Sequence, residues 1–195
     1  PADDVGLLEL HAPQIARDAR SGQFVMALVP GGEQAAVALG IYAVDGERIA
    51  LLFFVCGKRT AKLAALRPGD RLSCLAPLGN GFDLSGGCRD VAIVAGGVGI
   101  ASVLLPALEL LRGGARVRLY YGARTANRLV EAERFVAAGC DVRVATDDGS
   151  AGHRGYVTDL LAADEEPAQM LLACGPTPML RAVASLATER DVRAQ

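Results

Sequence analysis

The sequence has no tryptophan and only two histidines, and Phe, Tyr and Trp together make up 5% of its residues. Lys and Arg number 20 against 22 Asp and Glu, a formal net charge of −2. A nucleic-acid surface needs clustered basic charge interleaved with stacking aromatics, and neither is present. No apolar run reaches the ~18 residues of a membrane-spanning helix, and the first residues show no basic-then-apolar signal pattern. The five cysteines (Cys56, Cys74, Cys88, Cys140 and Cys174) are scattered without a CxxC pair, which excludes a metal or cluster site built from local cysteine pairs. Such thiols are expected to be reduced, in a cytoplasmic protein. His11 and His153 have no Ser or Cys partner in a recognisable motif, so a hydrolase triad is not expected. The first residue is Pro1 rather than Met, so an upstream piece is expected to have been removed or to lie outside this sequence.

What is present is a core-forming composition, 51% hydrophobic, in a chain of 195 residues, enough for one or two domains. The first half reads as β. Short apolar or alternating runs at 22–30, 35–44, 47–56 and 70–77 are separated by turn signals at Pro30-Gly31-Gly32, Asp45-Gly46 and Pro68-Gly69-Asp70, with one short helix at 60–66. Asp45-Gly46 between two strands is a hairpin signal, because both residues tolerate positive φ. This pattern predicts a small antiparallel barrel. From residue 90 onward the period changes. Strands at 90–96, 115–123, 140–148 and 168–175 alternate with helices at 101–111, 127–139, 156–164 and 177–190, the signature of a doubly wound parallel sheet. The expected domains are 1–87 and 88–195.

In "VAIVAGGVGIAS" (91–102), Gly96, Gly97 and Gly99 fall at the first strand-to-helix turn of the second half. Glycines there let backbone approach a pyrophosphate, and the following helix offers unpaired N–H groups. Gly-Gly-x-Gly is shorter than the full dinucleotide fingerprint, and a tight turn without ligand is the competing reading. Later loops fall at the carboxyl ends of later strands, where ligands of such sheets bind. They are "GART" (122–125), with Arg124 and nearby Arg128 as candidates for a 2′-phosphate, "TDDGS" (146–150), and "CGPTPM" (174–179). Asp147 and Asp148 point apart if the strand continues, which suits a ribose contact or a loop cap better than an acid–base pair. Cys174 is a candidate nucleophile, metal ligand or pocket-lining thiol. With no base in a motif and no second cysteine beside it, the pocket-lining role remains.

The ordered set "GQFVM", "VCGKRT", "RPGDRL", "PLGNGF", "AGGVGIAS", "GART", "TDDGS" and "CGPTPML" resembles the ferredoxin–NADP reductase superfamily along nearly the whole chain. Within it, the chain is most similar to the electron-transfer subunits of NAD-dependent dihydroorotate dehydrogenase and their relatives in hydrogenases and bifurcating transhydrogenases. The resemblance implies a six-stranded antiparallel barrel that binds FAD, followed by a parallel-sheet domain that binds NAD(H) or NADP(H), with NAD(H) favoured. It places Gly40, Ile41 and Tyr42 near the flavin ring. It sets Gly57, Lys58 and Thr60 against the FAD phosphates, with Thr60 and the start of its helix supplying donors. Gly79, Asn80, Gly81 and Phe82 fall beside the flavin ring and ribityl chain. Gly96, Gly97, Gly99 and Ile100 fall at the pyrophosphate, Arg124 and Asp147 at the adenosine ribose, and Cys174, Gly175, Pro176 and Met179 at the nicotinamide.

The chain also departs from the family pattern. Val37, Ala38, Leu39 and Gly40 stand where the family carries Arg-Pro-x-Ser, so a phosphate-neutralising charge and a small hydroxyl are both missing. A charged hydrogen bond contributes roughly 1.5–3 kcal/mol, so cofactor affinity is expected to fall. Arg59 replaces a glycine and Ser102 a proline. The sequence stops at "RDVRAQ", where the family's [2Fe–2S] segment begins, so these residues are not expected to hold the cluster. The resemblance implies an electron-transfer subunit that oxidises NAD(P)H and passes electrons through FAD to a partner oxidoreductase subunit, in pyrimidine biosynthesis for the nearest relatives. The alternative is a flavin-free homologue that uses the scaffold for nucleotide sensing or partner binding.

Overall fold

The structure is a computed structural model that describes residues 4–29, 35–166 and 168–195. The expected turn at Pro30-Gly31-Gly32 lies outside the described residues. The chain divides into two compact units, Pro1–Gly81 and Phe82–Gln195.

The first unit is an antiparallel sheet with strands β1 (Val5–His11), β2 (Phe24–Leu28), β3 (Ala36–Asp45), β4 (Arg48–Phe54) and β5 (Cys74–Leu78) in the order β1-β4-β3-β2-β5. Where the resemblance implied six strands, five are found among the described residues. The first of them was not legible, because apolar and polar residues alternate only loosely in "VGLLELH" and this sheet-edge strand is half exposed. β3 and β4 form the expected hairpin, Asp45 pairing with Arg48 around Gly46 at φ +56°. Two short helices complete the unit, α1 (Pro13–Asp18), whose proline occupies the first turn, and α2 (Lys58–Ala64). The core lies between Val25, Ala27, Ile41, Tyr42, Leu51, Phe53 and Leu63, all essentially inaccessible. The Phe53 ring covers Gly6 across the β1–β4 pair, where a β-carbon would collide with the ring.

The second unit is a parallel sheet of β6 (Asp90–Gly96), β7 (Arg116–Ala123), β8 (Asp141–Thr146), β9 (His153–Arg154), β10 (Met170–Cys174) and β11 (Arg193–Ala194), ordered β11-β10-β6-β7-β8-β9. β6 is apolar from Val91 to Gly96 because that stretch is buried on both faces. Helices α5 (Val157–Ala163) and α6 (Thr177–Glu189) cover one face, packing Val157, Leu161, Val183 and Ala187 on Ala92, Val94, Tyr120 and Ala145. Helices α3 (Leu104–Arg112) and α4 (Ala132–Ala138) supply buried Leu104, Ala107 and Phe135. The sheet is therefore doubly wound, as the alternation of periods predicts. The expected helix at 127–139 starts only at Ala132, because Glu131 adopts a left-handed conformation at φ 62° and breaks the helical path. The two-residue strands β9 and β11 are too short to leave a periodic signal. Among the described residues no helix is long and apolar enough to cross a membrane.

Candidate functional site

In the parallel unit the chain leaves β6 toward β7 on one side and returns through β10 on the other. The carboxyl ends of β6 and β10 therefore flank the switch point, where open α/β sheets bind ligands. β6 ends at Gly96, and Gly97 turns the chain at φ +54°, a conformation glycine adopts without a β-carbon clash. A 3-10 turn, Gly97–Ser102, follows before α3, so the first helical residues are wound more tightly than the α-helix expected from 101. The first N–H groups of such a turn have no acceptor within it, which makes it a phosphate-compatible element. Ile100, in the same turn, is fully buried in the core.

Three of the glycines in these two loops make room for one another. A β-carbon on Gly99 would collide with the carbonyl oxygen of Cys174 and stand 2.5 Å from its carbon. One on Gly96 would meet Met179 Sδ at 2.7 Å and Pro176 Cδ at 2.8 Å, and one on Gly175 would meet Met179 Cε at 2.6 Å and the Gly96 nitrogen at 3.0 Å. Cys174, Gly175 and Met179 are half-buried, and Pro176 is exposed at the head of α6.

The loops after β7 and β8 are joined to each other. The Asp147 N–H donates to the Ala123 carbonyl at 3.1 Å, the Asp148 N–H to the Arg124 carbonyl at 3.3 Å, and the Ala126 N–H to Ser150 Oγ at 2.7 Å. Asp148 accepts from the hydroxyl and the N–H of Ser150, which hold its carboxyl below the usual carboxylate range. Asp148 thus caps its own loop, while Arg124 and Asp147 are exposed and Arg128 is half-buried.

In the antiparallel unit, β3 carries a bulge, with Ile41 opposite Leu51 and Ala43 opposite Ala50, so Tyr42 is the extra residue. The bulge turns both Ile41 and Tyr42 into the core, and Gly40 beside them is half-buried. Thr60 is buried, and its hydroxyl accepts from the Cys56 N–H at 3.0 Å and the Gly57 N–H at 3.2 Å while donating to the Gly57 carbonyl at 3.1 Å. That hydroxyl, whose one proton is already engaged, closes the turn before α2. Gly57 has extended backbone with nothing within 4 Å of a β-carbon position, and Lys58 and Arg59 beside it are exposed cations. In the 79–81 loop, Gly79 and Gly81 take φ of +85° and +73°. Gly79 accepts from Gln23 Nε2 at 2.7 Å, and a β-carbon on Gly81 would stand 2.6 Å from the Ser21 carbonyl oxygen. Asn80 is exposed, and Phe82, half-buried, begins the second unit.

A charged cluster at the amino edge of the parallel sheet was not anticipated. Arg118, 1% exposed, donates to Asp90 Oδ1 and to Asp164 Oδ2, each at 2.6 Å, and to the Glu166 carbonyl at 3.0 Å. Arg143 donates to Asp164 at 2.8 Å and lies 5.5 Å from the Tyr120 ring centroid. The Tyr120 hydroxyl also donates to Asp164. Burial opposes ionisation of Asp164, but the Tyr120 hydroxyl, the Glu166 N–H and Arg118 outweigh it and hold the carboxyl at about 2. Burial and the Asp164 carboxylate push the Tyr120 phenol up to about 12. The available signal was an arginine inside the apolar run "VRLYY". Its acidic partners are 28 and 46 residues away in sequence and form no motif. Among the described residues no group of His, Cys, Asp or Glu is gathered as metal ligands.

An antiparallel sheet unit followed by a doubly wound unit with a glycine turn at its switch point defines the ferredoxin–NADP reductase class of fold. The family of oxidoreductase NAD-binding domains matches residues 93–185. A solved structure of an NADH-dependent reduced ferredoxin-NADP oxidoreductase, described for flavin-based electron bifurcation, superposes with a TM-score of 0.87 at 29% identity, over 99% of this chain and 71% of that one. The dihydroorotate dehydrogenase B (NAD(+)) electron transfer subunit of Desulforamulus reducens is 37% identical over 95% of this chain and 73% of its own length. The probable counterpart in Methanothermobacter thermautotrophicus is 38% identical over 92% of this chain and 66% of its own length. The chain belongs to the family of the electron transfer subunits of dihydroorotate dehydrogenase B (NAD(+)).

Proposed function

We propose that this chain is a cytoplasmic electron-transfer subunit that oxidises NAD(P)H and passes the electrons through FAD to a partner oxidoreductase subunit of the dihydroorotate dehydrogenase type. The observation that carries the reading is the pairing of the Gly97–Ser102 turn with the Cys174-Gly175-Pro176 loop at the switch point of the parallel sheet. Family membership supports the same assignment. Gly97 and the amides after it receive the pyrophosphate, Cys174 to Pro176 border the nicotinamide, and Arg124 and Asp147 meet the adenosine ribose.

The residues of the antiparallel unit fit a flavin dinucleotide in part. Lys58 and Arg59 flank open space before Gly57, a donor set suited to a diphosphate. Val37 to Gly40 bring no charge, so phosphate neutralisation falls to the 57–59 segment. When bound, FAD supplies two-electron acceptance from a nicotinamide and one-electron release. The chain binds, orients and excludes water, and no side-chain acid or base is required.

The test is the visible spectrum of the purified protein with and without added FAD, followed by anaerobic titration with NADH. Flavin bands near one equivalent that bleach on NADH addition are expected. A colourless protein that takes up no FAD would overturn the electron-transfer reading in favour of a nucleotide-sensing or partner-binding role. Dissociation constants should favour NADH over NADPH. A preference for the phosphorylated form would assign Arg124 or Arg128 to a 2′-phosphate instead.

A further inference from the structure

Met179 sits on the N-terminal turn of α6, and helical side chains lean back over the turn that precedes them. Its thioether lies across both loops of the switch point at once. Sδ occupies the space a β-carbon on Gly96 would need, 2.7 Å away, and Cε the space of one on Gly175, 2.6 Å away. Gly96 and Gly175 follow directly on the paired residues Ala95 and Cys174, so the two glycines face each other at the carboxyl edge of β6 and β10. One flexible side chain therefore bears on the last residue before the Gly97 turn and on the centre of the Cys-Gly-Pro loop. On the same stretch, Gly99 rests against the Cys174 carbonyl. The two loops are packed to each other by backbone on one side and on the other by the Pro176 ring against Gly96 and by Met179, the side chain that touches both glycines.

We propose that Met179 is a positioning residue that sets the separation of these two loops, so that a dinucleotide spanning both is bound as one unit. The inference rests on the dinucleotide reading of this edge and adds a specific consequence. A ligand that reaches both loops depends on Met179, and a ligand confined to the pyrophosphate and adenosine side does not. A side chain that merely filled the core would weaken both ligands alike, through the stability of the unit. Methionine suits the task because its unbranched, polarisable chain conforms to two surfaces of irregular shape.

The test compares NADH with ADP-ribose, which has the adenosine and pyrophosphate but no nicotinamide, by calorimetric titration of the full chain. For Met179→Ala, NADH affinity is expected to fall about tenfold while ADP-ribose affinity changes less than twofold. Met179→Leu, of similar volume, should stay within twofold of the parent for both ligands. Met179→Val, which removes the sulfur and methyl that reach Gly96 and Gly175 but leaves a larger side chain than alanine, should reproduce the selective loss, and it keeps the proposal testable if Met179→Ala does not fold. Leu186→Ala, two helical turns beyond Met179 on the same helix, should lower the melting temperature without changing either affinity. Equal losses for both ligands, or none for NADH, would overturn the positioning role. If the parent chain binds neither ligand, the dinucleotide reading itself fails, a result distinct from the others.

Discussion

The carbonyl of Cys174 occupies the space that any side chain on Gly99 would need, so the turn after β6 and the loop after β10 meet backbone to backbone. Gly99→Ala should force the two apart at a cost of about 1–3 kcal/mol, as overpacking of a tight contact does. Thermal unfolding would measure the loss, and NADH titration should show weakened binding alongside it. A variant with unchanged melting temperature and affinity would contradict the contact.

Two glycines of the antiparallel unit should behave oppositely. Gly81→Ala places a β-carbon 2.6 Å from the Ser21 carbonyl oxygen at φ +73°, and should destabilise by about 1–3 kcal/mol. Gly57→Ala meets nothing within 4 Å in extended backbone, so its effect on stability should stay within about 0.5 kcal/mol. If flavin phosphates lie against Gly57, the same variant lowers FAD uptake while leaving denaturant unfolding unchanged. Equal uptake by parent and variant would remove Gly57 from the phosphate site.

Arg118→Leu leaves Asp90 and Asp164 without the guanidinium that bridges them. Removing one partner from a buried ion cluster costs about 3–5 kcal/mol. Arg118→Lys should recover little, because an ammonium cannot reproduce the planar fork that reaches both carboxylates and the Glu166 carbonyl. Urea unfolding at neutral pH measures both variants, and full recovery by lysine would show that charge alone suffices.

The same cluster sets the pH limits of stability. Asp164 is held at about 2 against an ordinary 3.8. Its contribution of roughly 2 kcal/mol is complete above pH ~4 and is lost as pH falls toward 2. Tyr120 moves the other way, to about 12 from 10.0, so its contribution is complete below pH ~10 and is lost as pH rises toward 12. Unfolding free energy measured across pH should show a shoulder at each end. Tyr120→Phe should remove the alkaline shoulder and diminish the acid one, since the phenol hydrogen bond helps to depress Asp164. A Tyr120→Phe profile identical to that of the parent would refute the coupling.

Much of the fold was legible from periodicity. Burial on both faces makes β6 apolar after Asp90, Asp45-Gly46 marks a hairpin because its geometry tolerates few other residues, and the change from a period of two to one near 3.6 separates the halves. Elements escaped where local chemistry left no pattern. β1 is a half-exposed edge with weak alternation, β9 and β11 are two residues long, and α4 is cut short by the left-handed Glu131. As an aromatic on a barrel strand Tyr42 reads as core more readily than as flavin-stacking, and the bulge in β3 turns it inward.

The sequence by itself determined that glycines crowd the ends of β6 and β10, that Val37 to Gly40 bring no charge to β3, and that the second half is a parallel α/β unit. These follow from local composition and spacing, which any stretch of chain displays. Only the tertiary structure decided what the glycines make room for. A missing β-carbon reads the same whether phosphate, solvent or another strand occupies the space. At Gly96, Gly99, Gly175 and Gly81 the occupant is the protein's own chain, while at Gly57 the space is open. Likewise Arg118 became a buried ion only when folding brought Asp90 and Asp164 to it, because electrostatics acts over ångströms and not over sequence separation.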